Sequence, residues 1–309
     1  MQASQVWSRF GRVNNYVEPF AGSLGVLLNR PQPFIGAETV NDADGMVVNF
    51  WRALQADWQA VAEAAASPVS SLELWARGDW LVRRKECLRE LLEADPNFYD
   101  TKVAGWWVWG QCAWIGSGWV DDSAARESVH RQRIHTSNPG KGVHRQRVHT
   151  SNTGMGASFA DLSALAGRLR NVRLLCGDWT GAVQSGVLYY GTTCAVYLDP
   201  PYGTEAQRCA GLYATDSMDI AAQVKAWCAS QTQTKRLRIA LAGYAGEHDE
   251  LGALGWSVEQ WKPHGHGYGA AAAEDSAAAG RTNAGREVIW FSPSCEASPQ
   301  LGLFSSEVQ

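Results

Sequence analysis

Nowhere in the 309 residues is there an apolar run of membrane-spanning length or a secretory signal, so the chain is expected to stay off the membrane. Close cysteine pairs are also missing. The seven cysteines are odd in number and widely spaced, which argues against a disulfide framework and a zinc site and for a reducing compartment, a bacterial cytoplasm. Bulk charge of one sign is lacking too, since 27 Lys and Arg against 31 Asp and Glu leave a net charge of -4. Total electrostatics therefore single out no polyanionic partner. What the length provides is room for one large or two modest domains with a real core.

Charge of one sign is instead concentrated locally. Val129 to Gly142 and Val143 to Gly156 form a tandem repeat with eleven of fourteen positions identical. Residues 129–156 carry five cations (Arg131, Arg133, Lys141, Arg145 and Arg147), four histidines and no acid, against a balance of 22 - 31 = -9 in the rest of the chain. Its histidines have neither the cysteine partners nor the spacing of a zinc site, and two copies are too few for a solenoid. A solvated insertion and a DNA-contacting loop both fit. The second is preferred, because Arg and Lys neutralise phosphates while Gln132, Gln146, Asn138 and Asn152 are side-chain types able to read base edges.

Just upstream, five of the fifteen tryptophans fall between Trp106 and Trp119. Trp107, Gln111 and Trp114 divide from Trp106, Trp109 and Ala113 by helical spacing, which predicts a packed helix. Trp119 follows a Gly-Ser-Gly hinge, and the expectation for it is stacking on a base or duplex.

The strongest chemical signal lies later. Thr193 to Leu198 is an apolar run that reads as a buried parallel strand, and Asp199, Pro200, Pro201 and Tyr202 follow it. Open α/β sheets bind ligands at the carboxyl ends of such strands. A carboxylate and a proline carbonyl there suit attack by an exocyclic amine of a nucleobase, whose lone pair is delocalised into the ring. Acceptors for its N–H groups draw the nitrogen towards tetrahedral geometry, and Tyr202 is placed to stack on the base. Asp-Pro-Pro is equally a stop signal for any strand.

A second motif, Glu18-Pro19-Phe20-Ala21-Gly22, joins a short apolar entry to a helix-like stretch through small residues, the way a nucleotide-like ligand is cradled. Asp42 follows Gly22 by about 20 residues, the spacing of an acid that binds ribose hydroxyls. It also suits an N-cap. Val172 to Cys176 is a third apolar run that closes on an acid, Asp178, which is placed either to bind a cofactor adenine or to cap a helix before Thr180.

In this order the motifs resemble the Dam-type (alpha-group) DNA adenine methyltransferases, especially phage and prophage members, over roughly residues 14–60 and 170–292. The resemblance implies a Rossmann-like class I methyltransferase sheet of the α/β class with a mainly helical target-recognition insertion. S-adenosylmethionine would be held by Glu18, Pro19, Phe20, Ala21 and Gly22, with its ribose on Asp42 and its adenine on Asp178. Catalysis would fall to Asp199, Pro200, Pro201 and Tyr202, on an adenine flipped out of DNA. Cytosine amine methylation, or DNA binding without catalysis, are the alternatives. Two departures stand out. Leu24 occupies the family's second glycine position, with Gly25 one place later. Residues 1–14 also carry no aromatic-x-Gly-Gly-Lys segment, which in the family contacts the methionine end of the cofactor.

The expected organisation is a catalytic domain from 1–50 and 160–295, an insertion at 51–159 and a flexible tail at 296–309. Helices are predicted over Met46 to Ala66, Leu72 to Glu93 (one or two) and Ala221 to Cys228. Strands are predicted over Val172 to Leu175, Ala195 to Leu198, Arg238 to Ala242 and Glu287 to Phe291. His264 to Gly280 reads as a low-complexity linker. In the tail, Gln300, Leu301, Leu303 and Phe304 resemble the short peptide by which bacterial DNA enzymes dock on the sliding clamp. Deleting residues 299–309 should abolish association with the clamp in a pull-down while leaving methylation of short duplexes intact; unchanged association would exclude the tail as the docking peptide.

Overall fold

A computed structural model of the chain describes residues 2–114, 119–120, 159–201, 216–260 and 287–297. Its strands are β1 Asn15–Glu18, β2 Ala37–Asp42, β3 Val172–Cys176, β4 Cys194–Leu198, β5 Leu237–Tyr244, β6 Ser257–Gln260 and β7 Glu287–Phe291. They form one mixed sheet in the order β3-β2-β1-β4-β5-β7-β6. The first five lie parallel, and β7 runs antiparallel to both β5 and β6. The chain is thus an α/β protein with a mostly parallel sheet, and the Glu287 to Phe291 strand falls where its sequence pattern predicts.

Period-2 alternation divides the apolar strand residues between two cores. Tyr16, Ala195, Tyr197, Ala242 and Ile289 face one, while Val17, Val196, Leu198, Leu241 and Trp290 face the other. Burial on both faces explains why these strands read as nearly continuous apolar runs. The strand order reverses between β1 and β4, so a crevice opens at their carboxyl ends.

The helices are α1 Gln2–Phe10, α2 Gly25–Leu28, α3 Gly45–Ala65, α4 Ser71–Val82, α5 Lys85–Ala94, α6 Thr101–Ala113, α7 Phe159–Leu169, α8 Ser185–Leu188 and α9 Asp216–Gln231. Asp44 caps α3 by accepting from the Met46 N–H at 2.8 Å, and Asp100 caps α6 through the Val103 N–H at 2.9 Å. The predicted Leu72 to Glu93 segment is two helices, α4 and α5, broken at Arg83 and Arg84. Helices α1, α7 and α8 and strand β6 were not foreseen. In α1, Val6, Trp7 and Phe10 are buried at helical spacing, and the Trp7 ring lies 4.9 Å from that of Tyr16. Strand β6 is mostly exposed, so it shows no apolar alternation to read.

Helices α3 and α6 pack tightly, and at Gly105 there is no room for a side chain between them. A Cβ there would lie 2.7 Å from the Val61 carbonyl oxygen and overlap Ala64. Trp119 fills the groove over Gly110 and Gly78, with its ring 6.4 Å from that of Trp109. Its indole is only 6% exposed, so the expectation of a base-stacking Trp119 is corrected: two glycines make a slot, and the ring packs into it. The basic repeat, the 264–280 linker and the tail peptide lie outside the described residues. Among the described residues, no helix is long and apolar enough to cross a membrane.

Gly105→Ala should therefore destabilise the fold by about 1–3 kcal/mol through overpacking. Gly167→Ala, on an open face of α7 with no atom near the new methyl, should stabilise it by about 0.5–1 kcal/mol. Urea unfolding of the two variants measures both signs.

Candidate functional site

At the reversal point the ends of β1, β2 and β3 are tied by two adjacent side chains. The buried Asn41 amide donates to the Pro19 carbonyl at 3.1 Å and to the Gly177 carbonyl at 3.0 Å. Asp42 accepts from the Gly22 N–H on one carboxylate oxygen and from the Asp44 N–H on the other, both at 2.9 Å. The Trp51 indole closes the loop from α3 by donating to the Gly22 carbonyl at 2.9 Å.

Within that loop the backbone turns left-handed twice. Gly22 has φ +45 and nothing within 4 Å of where a Cβ would point, so the space above it is open. Leu24 has φ 57 and ψ 29 with its side chain fully buried. It takes the left-handed conformation that favours glycine, and its burial offsets a steric cost of about 1–2 kcal/mol.

The loop, Asp42 and the end of β4 enclose a cavity of about 970 Å³. Of the predicted site residues, Glu18, Phe20, Ala21, Gly22, Asp42, Asp199 and Pro201 line it. Pro19 and Pro200 are buried beside their neighbours and are not among the lining residues. Asp178 stands apart from this cavity. It is exposed and caps the turn Trp179–Gly181, accepting from the Thr180 N–H at 2.9 Å and from the Thr180 hydroxyl. Phe20 stacks on Trp179 at 6.1 Å, so the turn after Asp178 reaches the cavity wall indirectly. Tyr202, Arg131, Arg133, Lys141, Arg145 and Arg147 lie outside the described residues, as do Gln300, Leu301, Leu303 and Phe304.

Glu18 is the electrostatic centre of the cavity floor. Only 2% exposed, it accepts from the Tyr16 hydroxyl at 2.8 Å. Burial raises its pKa to about 8, the Tyr16 hydroxyl and the Leu27 N–H oppose the rise, and the charges of Asp199 and Asp42 add to it. Burial likewise raises Asp42, against the pull of its backbone donors. Glu287, at the start of β7, is raised by desolvation and by the charge of Asp199. That places a further acid near the predicted catalytic aspartate, one the sequence reading noted only as a strand start.

Two lining cations were missed as well. Lys85 and Arg89 enter the wall from α5, one turn apart, in a segment whose mixed charges look like a solvated helix. Arg89 is committed to Glu93 at 2.9 Å. Among the described residues the charged lining of the cavity is five acids (Glu18, Asp42, Asp44, Glu86 and Asp199) to these two bases. A scan of protein-family models finds no match to the chain, and a search of curated proteins finds none either.

Because its folded pKa lies above that of an unfolded glutamate, Glu18 contributes stability that is full below about pH 4.5 and is lost as pH rises towards 8. Glu18→Gln should remove that loss. Its melting temperature relative to the parent should climb from pH 5 to pH 8, and a constant difference over that range would show that Glu18 titrates normally.

Proposed function

We propose that the chain is a DNA methyltransferase that uses S-adenosylmethionine to methylate the N6 amine of adenine. The observation that carries this reading is the single cavity at the strand-order reversal. The loop from Glu18 to Gly22, the ribose-type acid Asp42, and Asp199 with Pro201 line it together although they come from distant parts of the sequence.

The cavity's residues fit the cofactor. Even with Glu18 protonated at neutral pH, four acids face two bases among the described lining residues, which suits a ligand of net positive charge. Each Asp42 oxygen accepts one backbone N–H and keeps lone-pair capacity for ribose hydroxyls. Open space above Gly22 lets a ligand approach the backbone closely. When bound, S-adenosylmethionine supplies a methyl group activated by its sulfonium.

Asp199 and Pro200 then have a positioning task. A carboxylate and a carbonyl at the end of β4 accept the two amine hydrogens of a base brought into the cavity. This localises the nitrogen lone pair and aims it at the methyl. Asp199 orients the amine and needs no unusual basicity. Most of the acceleration comes from alignment of the amine with the methyl group.

The decisive experiment incubates the chain with labelled S-adenosylmethionine and DNA, digests the product to nucleosides and separates them. Label in N6-methyladenine is expected. Label in N4-methylcytosine would reassign the base, and none at all would reject the reading. Asp199→Ala should lower transfer by about 10²–10³-fold, the scale of removing one preorganised hydrogen-bonding group, while cofactor binding persists.

A further inference from the structure

In this cavity the acidic lining leaves one ligand group unprovided for. S-adenosylmethionine has a sulfonium and an ammonium, which acids welcome, and also a carboxylate, which needs a cation. Among the described residues the lining offers only Lys85 and Arg89. Arg89 pairs with Glu93, whereas Lys85 has no ion-pair or hydrogen-bond partner among the described residues. Half-buried, Lys85 lines both this cavity and a smaller one of about 130 Å³ beside it, together with Asp44.

The course of α5 says which part of the cavity Lys85 serves. A Cβ on Gly177, next to the expected adenine-binding Asp178, would lie 3.9 Å from the Glu93 carboxylate. A Cβ on Gly45, beside the ribose-type acid Asp42, would lie 3.3 Å from the Arg89 backbone. Successive fourth residues advance about 6 Å along a helix. Lys85 is therefore one turn beyond the level of Asp42 and Gly45, on the side away from Gly177 and the turn that Asp178 caps. The first fourteen residues contribute no lysine to the cavity, and α1 lines it with Ala3.

Resting on the reading of this cavity as the cofactor site, we infer that Lys85, a residue of the helical insertion, binds the carboxylate of the cofactor's amino-acid moiety. It supplies a cation that α1, which lines the cavity only with Ala3, does not bring there.

The test compares two ligands that share the adenosine and the neutral thioether but differ in the amino acid: S-adenosylhomocysteine and 5′-methylthioadenosine. Each is titrated calorimetrically into the full chain and into Lys85→Met, Lys85→Gln and Lys85→Arg. Both neutral variants should bind S-adenosylhomocysteine about tenfold or more weakly, the scale of losing a charge-assisted bond. Their 5′-methylthioadenosine affinity should stay within about twofold, and Lys85→Arg should recover most of the loss. Equal weakening of both ligands, or of neither, in both neutral variants would overturn the assignment of Lys85 while leaving the cofactor site in place. Failure of the unsubstituted chain to bind S-adenosylhomocysteine or S-adenosylmethionine would reject the cofactor reading itself, and this inference with it.

Discussion

At the carboxyl end of a parallel sheet several chains leave their ladders together, and each frees backbone groups that must find partners without filling the crevice between them. Asn41 and Asp42 meet both demands. Their backbone carbonyls accept from the Ala21 N–H at 2.8 Å and the Gly177 N–H at 3.0 Å. Their side chains bind Pro19, Gly177, Gly22 and Asp44. Two consecutive residues thus hold the loop after β1, the loop after β3 and the start of α3. The opening above Gly22 and the left-handed turn at Leu24 depend on that fixed frame.

The same frame determines the electrostatics. Pleat alternation puts Tyr16 and Glu18 on one face of β1, and Tyr197 and Asp199 on the corresponding face of the β4 segment, so acids from neighbouring strands converge at the top of the sheet. Glu18 bears most of the consequence. It is buried, its hydrogen bond to Tyr16 supplies a donor without charge, and the nearby Asp199 and Asp42 hold its proton on. A cation in the cavity would lower the pKa of Glu18 and strengthen its own hold on the site, so ligand charge and protonation of the floor are linked.

Strand-end acids were legible in the sequence because a buried parallel strand announces itself as an apolar run, and the first polar residue after it marks the crevice. That reasoning found Glu18, Asp42 and Asp199. It also attached Asp178 to the same pocket, which an exposed cap at the next turn does not join directly. Asn41 was visible only as the companion of Asp42, because its partners stand 22 and 136 residues away. Trp119 misled for a related reason. Flanking glycines suggest a hinge, but the glycines that matter, Gly110 and Gly78, belong to other helices and form the slot that buries it. Lys85 and Arg89 were hidden in a helix of mixed charge, where nothing local distinguishes a wall residue from a solvated one.

How the insertion reaches the cavity follows from one buried arginine. Arg52, in the middle of α3, donates to the Leu174 carbonyl of β3 and to the Leu92 and Asp95 carbonyls at the end of α5, at 3.0–3.1 Å. Burial lowers its pKa, yet each bond uses an orphaned carbonyl that a helix end or a sheet edge leaves open. The carboxyl end of α5 is thereby fixed to the sheet, and its amino end, with Lys85 and the Arg83-Arg84 elbow, projects along the cavity rim. Helix α5, held to the sheet through Arg52, is thus itself part of the cavity wall.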